Sequence, residues 1–361
     1  MMESGRAVGR RVLAGLGLVC VVGVGWGVGV GMLSAGPLDP PAGPVTGTYK
    51  TLSDIEPRTV ISAANTPGDA DSLFRITQPG SYYLTGNVTG AAGKSGIEIT
   101  VDNVTIDLNG FSMIGVPGSL SGIVAVPTAR NGITILNGTV SNWGGSGIDM
   151  RSSSDLGLGY RVEGVRANSN GVHGFSIGDG AILIACSAQR NTGSGFQFGN
   201  HATVQNCNAY NNAGSGFAGG FGLTITSCVS RGNDEHGFNV NYATISQSEA
   251  SLNTFEGFRM ARGLVTASSA SFNGGIGVVM TANGSITNCS IHGNASGGVS
   301  VIGTSTVLNN QIHSGVIGIA VSNADNRIEG NTVTGATTGI SVTGTGNIII
   351  RNAVSGGATR Y

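Results

Sequence analysis

The stretch 195–217 reads GFQFGNHATVQNCNAYNNAGSGF, and it opens and closes on the same Gly-Phe step. A glycine followed by an apolar residue recurs along the chain at Gly96, Gly122, Gly147, Gly174, Gly195, Gly216, Gly237, Gly257, Gly277, Gly298, Gly318 and Gly339. From Gly174 onward the spacing settles at 20 or 21 residues. A fixed period of this length is the signature of a repeat architecture.

Each period holds short segments in which apolar and small polar residues alternate, separated by Gly or Asn. Alternation of this kind predicts short strands with one buried face. The period is too short for a strand-plus-helix repeat, so the sequence predicts an all-β parallel β-helix of about twelve coils, in which each strand stacks about 4.8 Å from its counterpart.

Stacking turns each repeated position into a row of touching side chains. Phenylalanine recurs at one position, which predicts an interior aromatic stack of Phe175, Phe196, Phe217, Phe238 and Phe258. Asparagine recurs at another, which predicts turns in left-handed geometry with amides bonded from coil to coil: Asn170, Asn191, Asn212, Asn233, Asn253, Asn273 and Asn294.

Composition excludes several other classes. Glycine makes up 63 of the 361 residues, but it does not recur every third residue, so the chain is not collagen-like. With 40% hydrophobic residues and a net charge of −1, the chain does not fit a disordered class. No lysine follows Lys94 and the arginines are scattered, which argues against a nucleic-acid partner.

The N-terminus has the pattern of an export signal. Arginines at positions 6, 10 and 11 precede an apolar run over 12–32, and Ala35 offers a small residue at a cleavage point. The run is also long enough to span a bilayer, although its glycines weaken it as a helix. We therefore expect a secreted or cell-surface β-helix, with retention by an N-terminal membrane anchor as the alternative.

The chain divides into four segments on this interpretation. Residues 1–35 form the signal peptide or anchor and 36–48 a linker. Residues 49–94, rich in Pro and Asp, form an N-terminal cap, as terminal repeats require. Residues 95–361 form the β-helix. The last coil strand ends near Ile350, and an uncapped edge is a pairing hazard. We therefore expect a short tail cap or end-to-end self-association through the C-terminal coil.

Three N-terminal segments carry a resemblance to a known group: GPLDPPAGPV at 36–45, NTPGDADSLF at 65–74 and QPGSYYL at 78–84. Together with the columns, they resemble secreted bacterial right-handed parallel β-helix repeat-containing proteins, which share the pectin-lyase-like fold. The resemblance implies a right-handed winding, in keeping with the general preference for right-handed crossovers. It implies no particular reaction.

The sequence motifs of the polygalacturonase-like catalytic families on this fold are missing. Polygalacturonase-like members carry Asn-Thr-Asp, Asp-Asp, Gly-His-Gly and Arg-Ile-Lys steps, and none occurs in this sequence. The acids are too few for an obvious calcium cluster, and we predict neither a metal nor a cofactor. Glu98 and Asp149 share a column with Val124 between them, roughly 9–10 Å apart, at the upper edge for an inverting glycosidase pair.

The densest polar patch lies on two adjoining coils. Asp234, Glu235 and His236 precede one Gly-Phe step, Glu256 occupies the His236 column in the next coil, and Arg259 points outward beyond it. These groups could abstract a proton from a uronic acid while the arginine neutralises the sugar carboxylate. The candidate catalytic residues are therefore Asp234, His236, Glu256 and Arg259. The alternative to a catalytic site is a solvent-exposed turn with an incidental ion pair.

Cysteine occupies one column at Cys186, Cys207, Cys228 and Cys289. Adjacent coils would bring the first three within bridging distance, and export favours disulfides. The other members of the column are Ser and Asn, which indicates a position for small buried groups. Buried free thiols are therefore the favoured state.

The sequence favours an exported, non-catalytic β-helix scaffold that contacts polysaccharide or other cell-envelope components. One alternative is a polysaccharide lyase, hydrolase or epimerase acting on uronate-type glycans. Another is an adhesin or assembly module that binds through its end.

Overall fold

The computed structural model describes residues 50, 55–126, 130–151 and 159–356. Its named elements in these ranges are 38 short β-strands. The strands wind into a parallel β-helix, so the predicted fold class is confirmed.

One strand of each coil belongs to a 13-stranded parallel sheet, which we call the front sheet. All of its strands except the first begin at or beside the Gly-apolar steps, and their partners lie in register, as for Phe196 opposite Phe217. The front-sheet strands are Ser72–Ile76, Ser95–Ile99, Ile123–Ala125, Ile148–Met150, Phe175–Ile177, Phe196–Phe198, Phe217–Phe221, Phe238–Asn241, Phe258–Met260, Ile276–Met280, Gly297–Val301, Ile317–Val321 and Thr338–Val342.

The other strands form a 25-stranded sheet with two parallel stacks. The second stack contains Thr59–Val60, Gly80–Tyr83, Val104–Asp107, Ile182–Ile184, Thr203–Gln205, Thr224–Thr226, Ala243–Ser246, Gly263–Thr266, Gly284–Thr287, Ser305–Leu308, Arg327–Glu329 and Ile348–Ile350. The third stack contains Val88–Thr89, Ser112–Ile114, Ser187–Gln189, Asn208–Tyr210, Val229–Arg231, Glu249–Ser251, Ser269–Ser271, Ser290–His292, Gln311–His313, Thr332–Thr334 and Ala353–Ser355. Two longer strands, Ile133–Ser141 and Arg161–Asn168, run through both stacks.

The β-helix has about 14 turns instead of the predicted twelve. The additional strands lie before Ser95: Ser72–Ile76 joins the front sheet, and Thr59–Val60 and Gly80–Tyr83 join the second stack. Phe74 lies opposite Ile97, so Leu73 takes the place of the glycine. A coil without the Gly-apolar step gives no repeat signal, and this is why the sequence placed the segment in a cap.

The predicted aromatic stack is confirmed. The ring centroids of Phe175, Phe196, Phe217, Phe238 and Phe258 are 4.8 Å apart from coil to coil, with the rings within 7° of parallel. All five side chains are fully buried. The row continues through Val278, Val299, Ile319 and Ile340. This row of large apolar groups forms the front-sheet side of the core.

The asparagine column is a buried hydrogen-bonded ladder, as predicted. The backbone N–H and the amide nitrogen of Asn191 both donate to Oδ1 of Asn212, at 3.1 and 2.9 Å, and the amide nitrogen also donates to the Ala167 carbonyl. The same pattern repeats from Asn170 to Asn294. Each interior amide is thereby satisfied, which the low polarity of the core requires.

The left-handed backbone geometry was assigned to the wrong column. The residue before each ladder asparagine has the positive φ: Ser169, Arg190, Asn211, Gly232, Leu252, Phe272 and Gly293, with φ between 51° and 67°. That residue makes the corner, and the asparagine after it turns inward to reach its neighbour. Side chains as large as Leu252 and Phe272 sit in this conformation, at a cost of about 1–2 kcal/mol each.

The glycine column is explained by close approach between coils. A Cβ on Gly237 would lie 2.5 Å from the carbonyl oxygen of Gly257 and 2.9 Å from both the Ala250 Cβ and the amide nitrogen of Asn253. The column therefore has no room for a side chain where the front sheet, the alanine row and the asparagine ladder meet.

The C-terminal edge of the second stack is Ile348–Ile350, which pairs with Arg327–Glu329. Ile348 and Ile350 are exposed. Residues 357–361 lie outside the described residues, so the tail cap and the end-to-end association stay predictions. No helix within the described ranges is long and apolar enough to cross a bilayer. The predicted signal or anchor at 1–35 and the linker at 36–48 lie outside those ranges.

We expect Gly237→Ala to lower the free energy of unfolding by about 3 kcal/mol, because the added methyl overpacks three neighbouring groups. Denaturant unfolding monitored by circular dichroism measures the change. Gly315→Ala is the matched control, since a Cβ there meets no atom within 4 Å. Equal stabilities for the two variants would contradict the close-approach explanation.

Candidate functional site

The candidate residues lie along the front sheet on two neighbouring coils. His236 and Glu256 occupy the same position, directly before the strand-leading glycines, and the Gly237 N–H donates to the Glu256 carbonyl. Arg259 lies on strand Phe258–Met260, opposite Asn239, and its side chain is exposed. The register of the coils therefore brings these three residues to one surface.

His236 and Glu256 form the closest contact of the site. Nδ1 of His236 lies 2.7 Å from Oε2 of Glu256, with the two side chains 16% and 25% exposed. The two atoms are not aligned for a hydrogen bond, and Nδ1 has no other hydrogen-bond partner. The contact is therefore an ion pair only when the imidazole is protonated. The Phe255 ring, with its centroid 5.4 Å from that of the imidazole, covers part of the pair.

Burial lowers the pKa of His236 below its ordinary value. Arg259 acts in the same direction, while Glu256 and Glu235 oppose it. Burial prevails because the charged ring loses more hydration than the two carboxylates return. The imidazole is therefore neutral near pH 7 and able to accept a proton.

Asp234 takes a different place from the other candidates. Its side chain is exposed, and its backbone N–H donates to the Asn212 carbonyl. The carboxylate of this turn that acts on the imidazole belongs to Glu235, whose Oε2 accepts a hydrogen bond of 2.9 Å from Ser215 Oγ. The structure thus brings together His236, Glu256 and Arg259, and the carboxylate of Glu235 also acts on the imidazole.

A second polar cluster lies three coils earlier on the same face. Arg151 Nε donates to Ser176 Oγ at 2.7 Å, and Ser176 Oγ donates to Asp149 Oδ1 at 2.9 Å. The backbone N–H of Ser194 donates to Nδ1 of His173, so the neutral ring carries its proton on Nε2. Burial, followed by Arg151, lowers the pKa of His173. Sequence reasoning missed this cluster, although Asp149 and Ser176 stand at the same outward position of adjacent coils.

Comparison with known proteins gives the family. A family model described as a right handed beta helix region matches residues 121–274 and 239–355, which is more than half of the chain. The chain belongs to the right-handed β-helix family. The match also confirms the expected right-handed winding.

Several solved structures match the chain at low sequence identity and low TM-score. The A-module of mannuronan C-5 epimerase AlgE4 from Azotobacter vinelandii is 18% identical, with 78% of this chain and 88% of that chain covered and a TM-score of 0.43. The Dettilon tailspike protein is 15% identical, with 79% and 60% covered and a TM-score of 0.40. Pectate lyase Pel9A is 18% identical, with 76% and 72% covered and a TM-score of 0.31. No curated protein matches the sequence.

The carboxylates of Glu98 and Asp149 do not face each other in this right-handed β-helix protein. They lie two coils apart with Val124 between them, as predicted. Glu98 Oε1 lies 3.5 Å from Arg75 Nε on the preceding coil, whereas Asp149 binds Ser176 on the following coil. The two groups are thus directed to opposite ends of the β-helix.

Among the described residues, Asp69, Asp71 and Glu98 place their oxygens close enough to surround a cation. Arg75 already contacts two of these three carboxylates. Arg75 Nη1 lies 2.8 Å from Asp69 Oδ2, and Lys94 Nζ donates to the carbonyls of Asp69 and Ser72. The group is therefore best described as an internal salt-bridge cluster.

The four cysteines among the described residues of this right-handed β-helix protein are free and buried, as the sequence favoured. Their Sγ atoms lie within hydrogen-bonding distance of the carbonyl two residues earlier, as from Cys186 to Ile184 and from Cys289 to Thr287. Burial raises the pKa of the Cys186 and Cys289 thiols. These thiols act as small core groups.

We expect NMR titration of His236 to give a midpoint below the ordinary histidine pKa of about 6.5. Glu256→Gln lowers that pKa further by removing an anion, and Arg259→Gln raises it by removing a cation. Since the folded pKa lies below the unfolded one, the stability that the neutral ring contributes is lost as pH falls through the folded value. Glu249→Gln, on the third stack, is the control and leaves the midpoint unchanged. Shifts of the opposite sign would contradict the geometry.

Proposed function

We propose that this right-handed β-helix protein binds an extended polysaccharide along the outward face of its front sheet and does not cleave it. The observation that carries the proposal is the exposure of aromatic side chains at both edges of this face, which we call its aromatic margins. Phe255, 48% exposed, precedes strand Phe258–Met260, while Phe221 and Tyr242, 52% and 47% exposed, end or follow their strands on the other side.

Exposed aromatic rings of this kind suit sugar rings. Their faces offer large apolar area at a low cost in side-chain entropy, and aromatic residues dominate the energetics of many binding surfaces. Phe221 and Tyr242 contact each other with centroids 5.4 Å apart. The Arg262 guanidinium lies 5.3 Å from the Tyr242 ring centroid and holds it from the other side. The Tyr242 ring at this second margin is therefore held in place by its two neighbours.

The surface between the margins supplies groups that hydrogen-bond to hydroxyls and carboxylates. The outward position of the front sheet holds Gln197, Asn239 and Arg259. Gln197 lies two coils before Asn239, and Arg259 lies one coil after it. From the His173 coil to the Glu256 coil the polar face runs four steps, or about 19 Å. That length accepts several sugar units, and the arginines favour a chain with carboxylates.

The placement of the carboxylates on the front-sheet face supports binding over hydrolysis. Glycoside hydrolysis needs two carboxyl groups at a defined separation on one bond. Glu98 and Asp149 are directed apart, and Glu256 contacts His236 instead of a second acid. We further propose that the β-helix works outside the cytoplasm, where such polysaccharides occur, after export through the segment at 1–35.

The test is calorimetric titration with soluble acidic polysaccharides, such as polygalacturonate and alginate, and a neutral β-glucan. We expect Tyr242→Ala to weaken binding about tenfold or more, which corresponds to about 1.4 kcal/mol. Phe272→Ala is the matched control, since Phe272 is 58% exposed but its ring contacts His292 on the third stack. Equal affinities for the two variants, or no binding to any polymer in the panel, would overturn the proposal.

A second candidate function, a uronate lyase or epimerase, is favoured by the neutral His236 beside Glu256 and Arg259. The imidazole would take the C5 proton of a uronate while Arg259 neutralises its carboxylate. Lyase turnover releases unsaturated ends that absorb ultraviolet light, and epimerisation changes the sugar NMR signals. Turnover that is lost in His236→Ala and kept in His201→Asn would establish this function. Binding without turnover by the unaltered protein would exclude it.

A further inference from the structure

Two arginines stand some distance apart along the outward face of the front sheet. Arg151 follows strand Ile148–Met150 and Arg259 lies on strand Phe258–Met260, and both side chains are exposed. Arg151 reaches forward by one coil, since its Nε donates to Ser176 Oγ at 2.7 Å. From Ser176 to Arg259 the register runs through four coil steps, or about 19 Å.

A buried relay holds the Arg151 guanidinium in place. Ser176 is 1% exposed, and its hydroxyl donates onward to Asp149 Oδ1 at 2.9 Å. The arginine contacts the serine and not the aspartate itself, and this hydrogen bond uses one of its five N–H donors. A side chain whose orientation is already fixed loses less entropy when it binds a ligand. Arg151 is therefore preorganised to receive a carboxylate on its remaining donors.

Each arginine has a histidine beside it. Burial and, after it, Arg151 lower the pKa of His173, which stands on the coil of Ser176. Burial also lowers the pKa of His236, one coil before Arg259, and Arg259 adds to that effect. A neutral imidazole can hydrogen-bond to a hydroxyl without adding charge. Each end of this stretch therefore combines one cation with one neutral imidazole, which suits a carboxylate flanked by hydroxyls.

The coils between the two arginines carry no charge at the outward position of the front sheet. The row there consists of Gln197, Ala218 and Asn239. The two amides can hydrogen-bond to sugar hydroxyls, but hydrogen bonds to a carboxylate are stronger when the donor is a cation. An acidic chain along this row therefore makes its charge-assisted contacts at two separated points.

We infer that Arg151 and Arg259 bind two carboxylates of the same acidic oligosaccharide, so that their separation sets the shortest chain that the face binds tightly. The inference rests on the proposed function and adds a length dependence to it. A chain that spans less than about 19 Å reaches one arginine at a time. Once a chain reaches both, the second contact becomes intramolecular and the affinity rises steeply.

The test is calorimetric titration of the full chain with homogeneous oligogalacturonates, from the disaccharide to the octasaccharide. We expect the affinity to rise at least tenfold once the chain reaches both arginines, and to level off beyond that length with one oligomer per protein. Arg151→Gln and Arg259→Gln should each remove this step. In either variant the disaccharide should still shift the NMR signals of the histidine beside the remaining arginine, His236 or His173.

Arg231→Gln is the matched control, because Arg231 is an exposed arginine on the third stack and its loss changes the net charge equally. We expect this variant to keep the step. A smooth rise of affinity with length, a step that survives in Arg151→Gln or Arg259→Gln, or a step that Arg231→Gln also removes would each overturn the inference and leave polysaccharide binding standing. Failure of the unaltered protein to bind at any length would overturn the proposed function as well.

Discussion

Hydrogen bonds between the backbones of successive coils hold each residue opposite its counterpart one turn away, and every other feature of the molecule depends on this register. It stacks the five phenylalanines at 4.8 Å and aligns the asparagine amides so that each donates to the next. It also forces the backbones together at the glycine column. A slip of one residue in the strand register would turn the phenylalanines outward and leave the buried amides unpaired. Other registers are therefore strongly disfavoured.

The register made much of the fold predictable from the sequence. Phe196, Phe217 and Phe238 recur at a constant interval because the same interior space recurs at that interval. The repeat pattern gives no prediction where a coil lacks the marker residue, as at Leu73, which stands in the glycine position. It also failed for the corners. Leu252 and Phe272 adopt left-handed geometry because the chain must turn there, and their residue types give no sign of it.

The surface was harder to predict than the core, for a physical reason. The pairing of His236 with Glu256 follows from column positions alone, and the structure brings the two together. The direction of a long side chain does not follow, because it depends on torsions and on local partners. Glu235 and Asp234 are adjacent in sequence, yet Glu235 is the one that influences the imidazole. The hydrogen bond from Arg151 to Ser176 likewise depends on how far and in which direction the arginine side chain extends, which the spacing of residues in the sequence does not give.

The asparagine ladder has a consequence for how such a chain can change in length. Each rung donates to the next and accepts from the one before, so the ladder does not distinguish one interior coil from another. Duplication or loss of a whole 20- or 21-residue unit would therefore leave every interior contact of the same kind. Loss of half a unit would bring other positions opposite the ladder asparagines and leave their amides without these partners. This architecture can therefore lengthen or shorten in evolution only by complete turns. Its outer faces grow by one coil at a time.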